Sequence, residues 1–227
     1  MKQIYAGVLL CLLCIVGIRG ESQINANFVG TPATLGCVPL NVSFSDISVP
    51  SPGANIINSS RQWIINGVVQ PSTANPFPFT FTSPGLYTIE LVICDDSPSC
   101  DTFTRVDYIN AFGLPSPSLS VSPGVGCAPL SVNITDNSTP ECGIMTSTTI
   151  FPNNGGPNLN GSGTVTYNTP GNYNIRIRLV NACGCIKDTT YNNIVRVNQV
   201  PNANFNAANR NSCTSPHTVN FSNTSSG

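Results

Sequence analysis

Charge is what this sequence has least of. Of 227 residues, 9 are Lys or Arg and 10 are Asp or Glu, 8% against roughly 25% in an average soluble protein. Helix builders are equally scarce, with 11 Ala, 3 Glu and 2 Lys. That shortage excludes a coiled coil or a helical bundle. The few cations form no basic stripe, which excludes a charge-driven nucleic-acid binder. A single His excludes most His-based triads. Apolar content is not short: 40% of residues are hydrophobic and mean hydropathy is +0.08, which argues against disorder. The polar mass is neutral instead, 28 Asn, 24 Ser and 21 Thr, punctuated by 19 Pro and 19 Gly. That mixture favours an extracellular all-β protein with many turns.

The first twenty residues read as a secretory signal peptide. Lys2 supplies a positive start, Ile4 to Ile18 form an apolar run, and Arg19-Gly20 precede the polar Glu21-Ser22-Gln23. The run is short for a membrane span. Cys11 and Cys14 each follow Leu, where a lipobox wants a small residue, so lipidation is not expected. Cleavage removes Lys2 and Arg19 and leaves 7 basic and 10 acidic groups, a net charge of −3. No later segment is long and apolar enough to span a membrane.

Three segments repeat. Gly36-Cys37-Val38-Pro39-Leu40-Asn41-Val42-Ser43-Phe44-Ser45-Asp46 is matched by Gly126-Cys127-Ala128-Pro129-Leu130-Ser131-Val132-Asn133-Ile134-Thr135-Asp136, an offset of 90. A third copy runs from Cys213 to Asn223 with one extra residue. Asn25-Ala26-Asn27-Phe28 recurs as Asn202-Ala203-Asn204-Phe205, and Ser83-Pro84-Gly85-Leu86-Tyr87 as Thr169-Pro170-Gly171-Asn172-Tyr173. A unit of 86 to 90 residues suits a small sandwich domain. Within it the period is 2: Val42 and Phe44, Ile89, Leu91 and Ile93, and Ile175, Ile177 and Leu179 each alternate with mostly polar residues. Two antiparallel sheets packed face to face is the economical architecture.

The Gly-Cys-x-Pro-Leu-x-Val-x-Phe/Ile-x-Asp strand and the closing Pro-Gly-x-Tyr-x-Ile pattern together resemble the PKD domain, an immunoglobulin-like β-sandwich named after the polycystic kidney disease protein. The family's Trp-x-Phe-Gly-Asp-Gly hairpin becomes Trp63-Ile64-Ile65-Asn66-Gly67 in the first unit and Ile150-Phe151-Pro152-Asn153-Asn154-Gly155 in the second. The resemblance implies a secreted or cell-surface tandem of such sandwiches. Its expected boundaries are 1–20 for the signal, 21–113 and 114–199 for two domains, and 200–227 for the start of a truncated third. It also implies that Trp63 fills the first core, and that Tyr87 and Tyr173 pack where the penultimate strand begins, each hydroxyl on a backbone partner.

Eight cysteines remain after the signal, and a secreted chain makes disulfides the default. In similar repeats the cysteine before the second strand is partnered by one before the last strand. The resemblance therefore implies Cys37–Cys100 and Cys127–Cys185. Cys142 and Cys183 are left to pair with each other, Cys94–Cys100 stays open as a rival, and Cys213 would pair beyond Gly227. Cys183-Gly184-Cys185 lacks the second ligand pair that zinc needs. His217 fills the slot of Leu40 and Leu130 and reads as a partly packed strand residue.

Catalytic motifs are absent from the sequence: no Gly-x-Ser-x-Gly, phosphate loop or His-Glu-x-x-His occurs. Asp95, Asp96 and Asp101 are weak calcium candidates, in a loop that reads more plainly as a solvated hairpin tip. Asp46 and Asp136 end the second strand and read as turn or capping residues. No cofactor and no catalytic residue is expected. The expected function is a non-catalytic spacer and adhesion or recognition module, binding extracellular protein or carbohydrate through neutral hydrogen bonds. The alternative is the ancillary N-terminal part of a secreted hydrolase whose catalytic domain lies beyond residue 227.

Overall fold

The computed structural model describes residues 23–227, so the expected signal at 1–20, with Cys11 and Cys14, lies outside the described residues. Period-2 segments rich in β-branched and aromatic residues become strands here, and Pro, Gly, Asn and Ser fill the turns between them. In chain order the strands are β1 (Phe28–Thr31), β2 (Leu35–Cys37), β3 (Leu40–Asp46), β4 (Gln62–Ile65), β5 (Val68–Val69), β6 (Phe77–Phe81), β7 (Gly85–Cys94) and β8 (Cys100–Phe112). There follow β9 (Leu119–Ser122), β10 (Val125–Cys127), β11 (Leu130–Asp136), β12 (Met145–Phe151), β13 (Gly163–Tyr167), β14 (Gly171–Asn181), β15 (Ile186–Asn198), β16 (Phe205–Ala208) and β17 (Asn220–Asn223). One short 3₁₀ turn, Asn58–Ser60, precedes β4. The sheets run β1-β3-β6 and β2-β8-β7-β4-β5, then β13-β11-β9 and β10-β15-β14-β12, and last the pair β16-β17. Over the described residues the chain is all-β, an immunoglobulin-like sandwich architecture used more than once.

By its internal contacts the chain divides into two compact units. One comprises the described residues through Gly30 with Phe44–Phe77 and Thr88–Val106. The other comprises Thr31–Ser43, Pro78–Tyr87 and Asp107–Gly227. In the first, Phe28, Phe44 and Phe77 close on Trp63 with ring centroids 5.5 to 5.8 Å away. Trp63 is fully buried and its Nε1 donates to Ala74 O at 3.1 Å, so the expected core role is where the indole sits. The two-residue turn after β4 is Asn66-Gly67, with φ of 48° and 78°. That is the type I′ geometry an Asn-Gly pair adopts at least cost, and it matches the strand twist. Asn66 Oδ1 also accepts from Thr88 N at 2.8 Å.

In the second unit, Leu130, Val132, Ile134, Val165 and Tyr167 on one sheet meet Ile150, Ile175, Ile177, Leu179, Val195 and Val197 on the other. All eleven are buried, and the alternate positions carry the polar residues that the period-2 pattern requires. The glycine of the Gly-Cys-x-Pro-Leu motif has a packing reason. A Cβ on Gly126 would stand 2.4 Å from Leu130 Cδ1, and one on Gly36 would stand 3.0 Å from Leu40 Cδ1. Gly126→Ala is therefore expected to destabilise by about 1–3 kcal/mol through overpacking, and Gly36→Ala by less, because Leu40 is only half-buried. Chemical denaturation of the two variants checks that order.

One hydrogen-bond set occurs three times. Ser48 N donates to Asp46 Oδ1 at 2.9 Å, Ser138 N to Asp136 Oδ1 at 3.0 Å, and Ser225 N to Asn223 Oδ1 at 2.9 Å. The same three serines accept, through Oγ, from Asn27 N, Ser118 N and Asn204 N at 3.0 to 3.1 Å. Each side chain thus closes an Asx turn and ties the strand end to the opening strand. Asp46 and Asp136 hold the turn role expected of them. The third copy carries the same turn on a bare hairpin: Phe205 and Phe221 are 63% and 70% exposed, whereas their counterparts Phe28 and Phe44 are 0%. His217 lies outside any strand, exposed, with its ring on Asn209 O. The expected strand packing at 217 is corrected: β17 pairs with β16 alone and only over Asn220–Asn223, whereas the counterpart Leu130 is held in a ladder with Tyr167 of β13.

Candidate functional site

The loop joining β7 to β8 holds Asp95 and Asp96, Asp101 lies at the start of β8, and local geometry sends each carboxylate to a different task. Asp95 is fully buried. Its Oδ2 accepts from Ser51 N at 2.9 Å, and its Oδ1 from Ser97 Oγ at 2.7 Å, Ser97 N at 3.1 Å and Ser99 N at 3.3 Å. The Ser51 and Ser97 hydroxyls, then the Ser51 and Ser99 amides, hold its carboxyl well below the usual carboxylate range against the opposing effect of burial. Asp96 accepts from Asn55 N at 2.8 Å and Asn55 Nδ2 at 3.1 Å, and the same amides lower its pKa. Asp101 accepts from Ala26 N and Thr102 N, both at 2.8 Å. The three do not converge on a common point that a cation could occupy; each ties down a separate stretch of backbone. This corrects the expected solvated tip at Asp95, whose charge the surrounding N–H and O–H donors stabilise without water.

Position 181 is the 86-residue equivalent of position 95, and there the residue is Asn. Asn181 is 1% exposed. Its Oδ1 accepts from Cys183 N at 3.2 Å and Cys185 N at 3.0 Å, the counterparts of the Ser97 and Ser99 amides. Its Nδ2 donates to Gly113 O at 3.0 Å and Pro140 O at 2.8 Å. The Asp-to-Asn difference thus follows from what faces the side chain, N–H donors at 95 and carbonyls at 181. The sequence reading passed over Asn181, although the offset that aligned the tyrosines also aligned it with Asp95.

The cysteine pairing differs from expectation at Cys37, Cys100, Cys127 and Cys185, takes the rival Cys94–Cys100, and has Cys142 with Cys183. Cys37 is bonded to Cys185, Cys94 to Cys100 and Cys142 to Cys183, while Cys127 and Cys213 are free and exposed. The expected Cys37–Cys100 and Cys127–Cys185 pairs are corrected. Cys94 and Cys100 flank one hairpin, with Cα atoms 4.0 Å apart. Cys37 is carried to Cys185 because β2 runs parallel to the end of β8, where Val38 N donates to Phe112 O at 2.9 Å. Gly113, the next residue, is bound by Asn181 in the turn that also holds Cys185. Sequence slots identified the equivalent cysteines but not this crossing.

Tyr87 donates its hydroxyl to Ser83 O at 2.8 Å and Tyr173 to Thr169 O at 2.7 Å, the same corner in both copies. Their rings pack on Phe81 and Tyr167 at 4.6 and 4.5 Å. Burial, with Tyr173 beside it, pushes the Tyr167 phenol up to about 12. It therefore remains a donor, to Pro152 O at 2.9 Å, at any ordinary pH. A buried ion pair escaped the sequence reading: Arg61 Nη2 lies 2.8 Å from Asp46 Oδ2, and both side chains are 4% exposed. On the outer face of β12, β14 and β15, Phe151, Asn153, Asn174, Arg176 and Thr190 line a shallow concavity of about 350 Å³.

No family model and no curated protein matches this chain. Solved structures do. Fibronectin(III)-like modules of Clostridium thermocellum CbhA are 10% identical over 78% of this chain and 94% of theirs, with a TM-score of 0.32. Murine CEACAM1b is 13% identical over 77% of this chain and 100% of its own, at 0.30. A bacterial ice-binding adhesin is 11% identical over 82% of this chain and 70% of its own, at 0.34. The class defined by the strands and cores above is a tandem β-sandwich protein.

Proposed function

We propose that this is a secreted or cell-surface tandem of PKD-type sandwiches, at 21–113 and 114–199 with a third beginning at 200, which acts as a non-catalytic spacer and recognition module. The observation that carries this reading is the recurrence of one scaffold in three copies, with its turn-forming Asp and Asn side chains bonded to backbone N–H groups. Three disulfides support an oxidising compartment. The exposed positions are chiefly Asn, Ser and Thr, which favours contacts to protein or carbohydrate through neutral hydrogen bonds over electrostatic capture. The purified chain is expected to be retained on a glycan array or on isolated cell walls, with no turnover of what it binds. Hydrolysis of any polysaccharide or peptide by the purified chain would overturn this reading.

A further inference from the structure

The few cations of the described chain are unevenly placed. Arg61 is closed in its ion pair, and Arg105 lies over the Phe28 and Phe103 rings at 5.3 Å. Arg176, Arg178 and Arg196, by contrast, share the outer face of the β14–β15 ladder. They alternate with the buried Ile175, Ile177, Leu179, Val195 and Val197, so strand geometry turns all three outward. Asp188 accompanies them, 4.0 Å from Arg176 and 3.4 Å from Arg178, and one carboxylate cannot neutralise three guanidinium groups.

Arg176 is also pre-positioned. Its guanidinium carbon stands 4.0 Å above the Phe151 ring, so stacking fixes the plane of the fork and leaves its N–H edge for an incoming group. Around it the concavity holds Asn153, Asn174 and Thr190, all neutral. Asn174 uses its Oδ1 to accept from Asn193 N at 2.7 Å, which leaves its NH₂ to donate outward.

We propose that this face binds an acidic polysaccharide, a uronate carboxylate seating on the Arg176 fork while sugar hydroxyls bond Asn153, Asn174 and Thr190. A planar fork matches a carboxylate bidentately, and Arg178 on β14 and Arg196 on the neighbouring β15 meet further acidic units. An acidic peptide would meet the same arginines. The three neutral hydrogen-bonding side chains set around an aromatic edge favour hydroxyl-bearing sugar instead.

The inference deepens the recognition reading and rests on it. The test is calorimetric titration of the purified chain with oligogalacturonate, its carboxyl-reduced neutral form, and poly-glutamate. Oligogalacturonate is expected to bind, and the reduced form to bind far more weakly. Arg176→Gln is expected to weaken binding about tenfold, as loss of a charged hydrogen-bonding group does. Lys187→Gln is expected to bind as the parent does, because Lys187 pairs with the core residue Leu179 and lies off this face. Equal affinity in Arg176→Gln, or equal affinity for poly-glutamate, overturns the inference. Retention of a neutral glycan without oligogalacturonate binding overturns it and leaves the module reading standing. Failure to bind any glycan or cell wall overturns both.

Discussion

Asn181→Asp, an exchange of one NH₂ for one oxygen, is expected to lower stability by about 3–5 kcal/mol at pH 7. Two carbonyls, the buried Gly113 O and the part-buried Pro140 O, lose their donor at once, at about 1–3 kcal/mol each. The new oxygen then faces both carbonyls and adds repulsion. Oδ1 keeps the Cys183 and Cys185 amides, so the turn itself still has its acceptor. The pH dependence separates this account from a general loss of packing. Burial and the facing carbonyls raise the pKa of the introduced carboxyl above its unfolded value near 3.9. A group raised on folding penalises the native state as pH climbs through and beyond its unfolded pKa. The deficit should therefore shrink towards pH 4, where the protonated carboxyl can donate one of the lost bonds. Thermal melts from pH 4 to pH 8 check this, and a deficit independent of pH would rule it out.

Asp95→Asn is the mirror experiment, and its sign is opposite. The parent carboxylate is surrounded by donors, and its pKa is held below the unfolded value. Its contribution is fully present above the unfolded pKa and is lost as pH falls towards the lowered folded value. The variant turns an NH₂ towards Ser51 N and should be less stable than the parent at neutral pH. The gap should close in acid, where the parent loses its charge as well.

These positions show where sequence reading succeeds and where it stops. The alternation of Ile89, Leu91 and Ile93, and of Ile175, Ile177 and Leu179, specifies the buried face directly, because a strand has only two sides. The Tyr87 and Tyr173 corners are equally legible, since each hydroxyl reaches only four residues back. The Asp46 and Asp136 turns are local for the same reason. Cys37–Cys185 is not, because its partner depends on where β2 and the end of β8 come to lie. Asn181 is intermediate: repeat alignment places it opposite Asp95, but only the carbonyls of Gly113 and Pro140 explain the amide. The face carrying Arg176 and Phe151 combines two strands that are distant in sequence, so composition alone recorded only a shortage of charge.

Arg61→Met is expected to cost about 3–5 kcal/mol, the penalty for leaving one partner of a buried pair uncompensated. Arg61 Nε and Nη2 both reach Asp46 Oδ2, at 2.9 and 2.8 Å, and Nη1 donates to Thr73 O at 3.1 Å. The substitution therefore strands a carboxylate that is 4% exposed and releases the 73–74 segment next to the Trp63 anchor at Ala74 O. The charge, rather than the lost packing, should account for most of the cost. Adding Asp46→Asn removes that charge and keeps an acceptor for Ser48 N. The chain already contains this solution, since Asn223 accepts from Ser225 N at 2.9 Å in the same turn. The double variant is thus expected to recover most of the loss in urea denaturation, with a slope unchanged from the parent. A double variant as unstable as the sum of the singles would mean that Arg61 acts through Thr73 and the Trp63 loop, not through the ion pair.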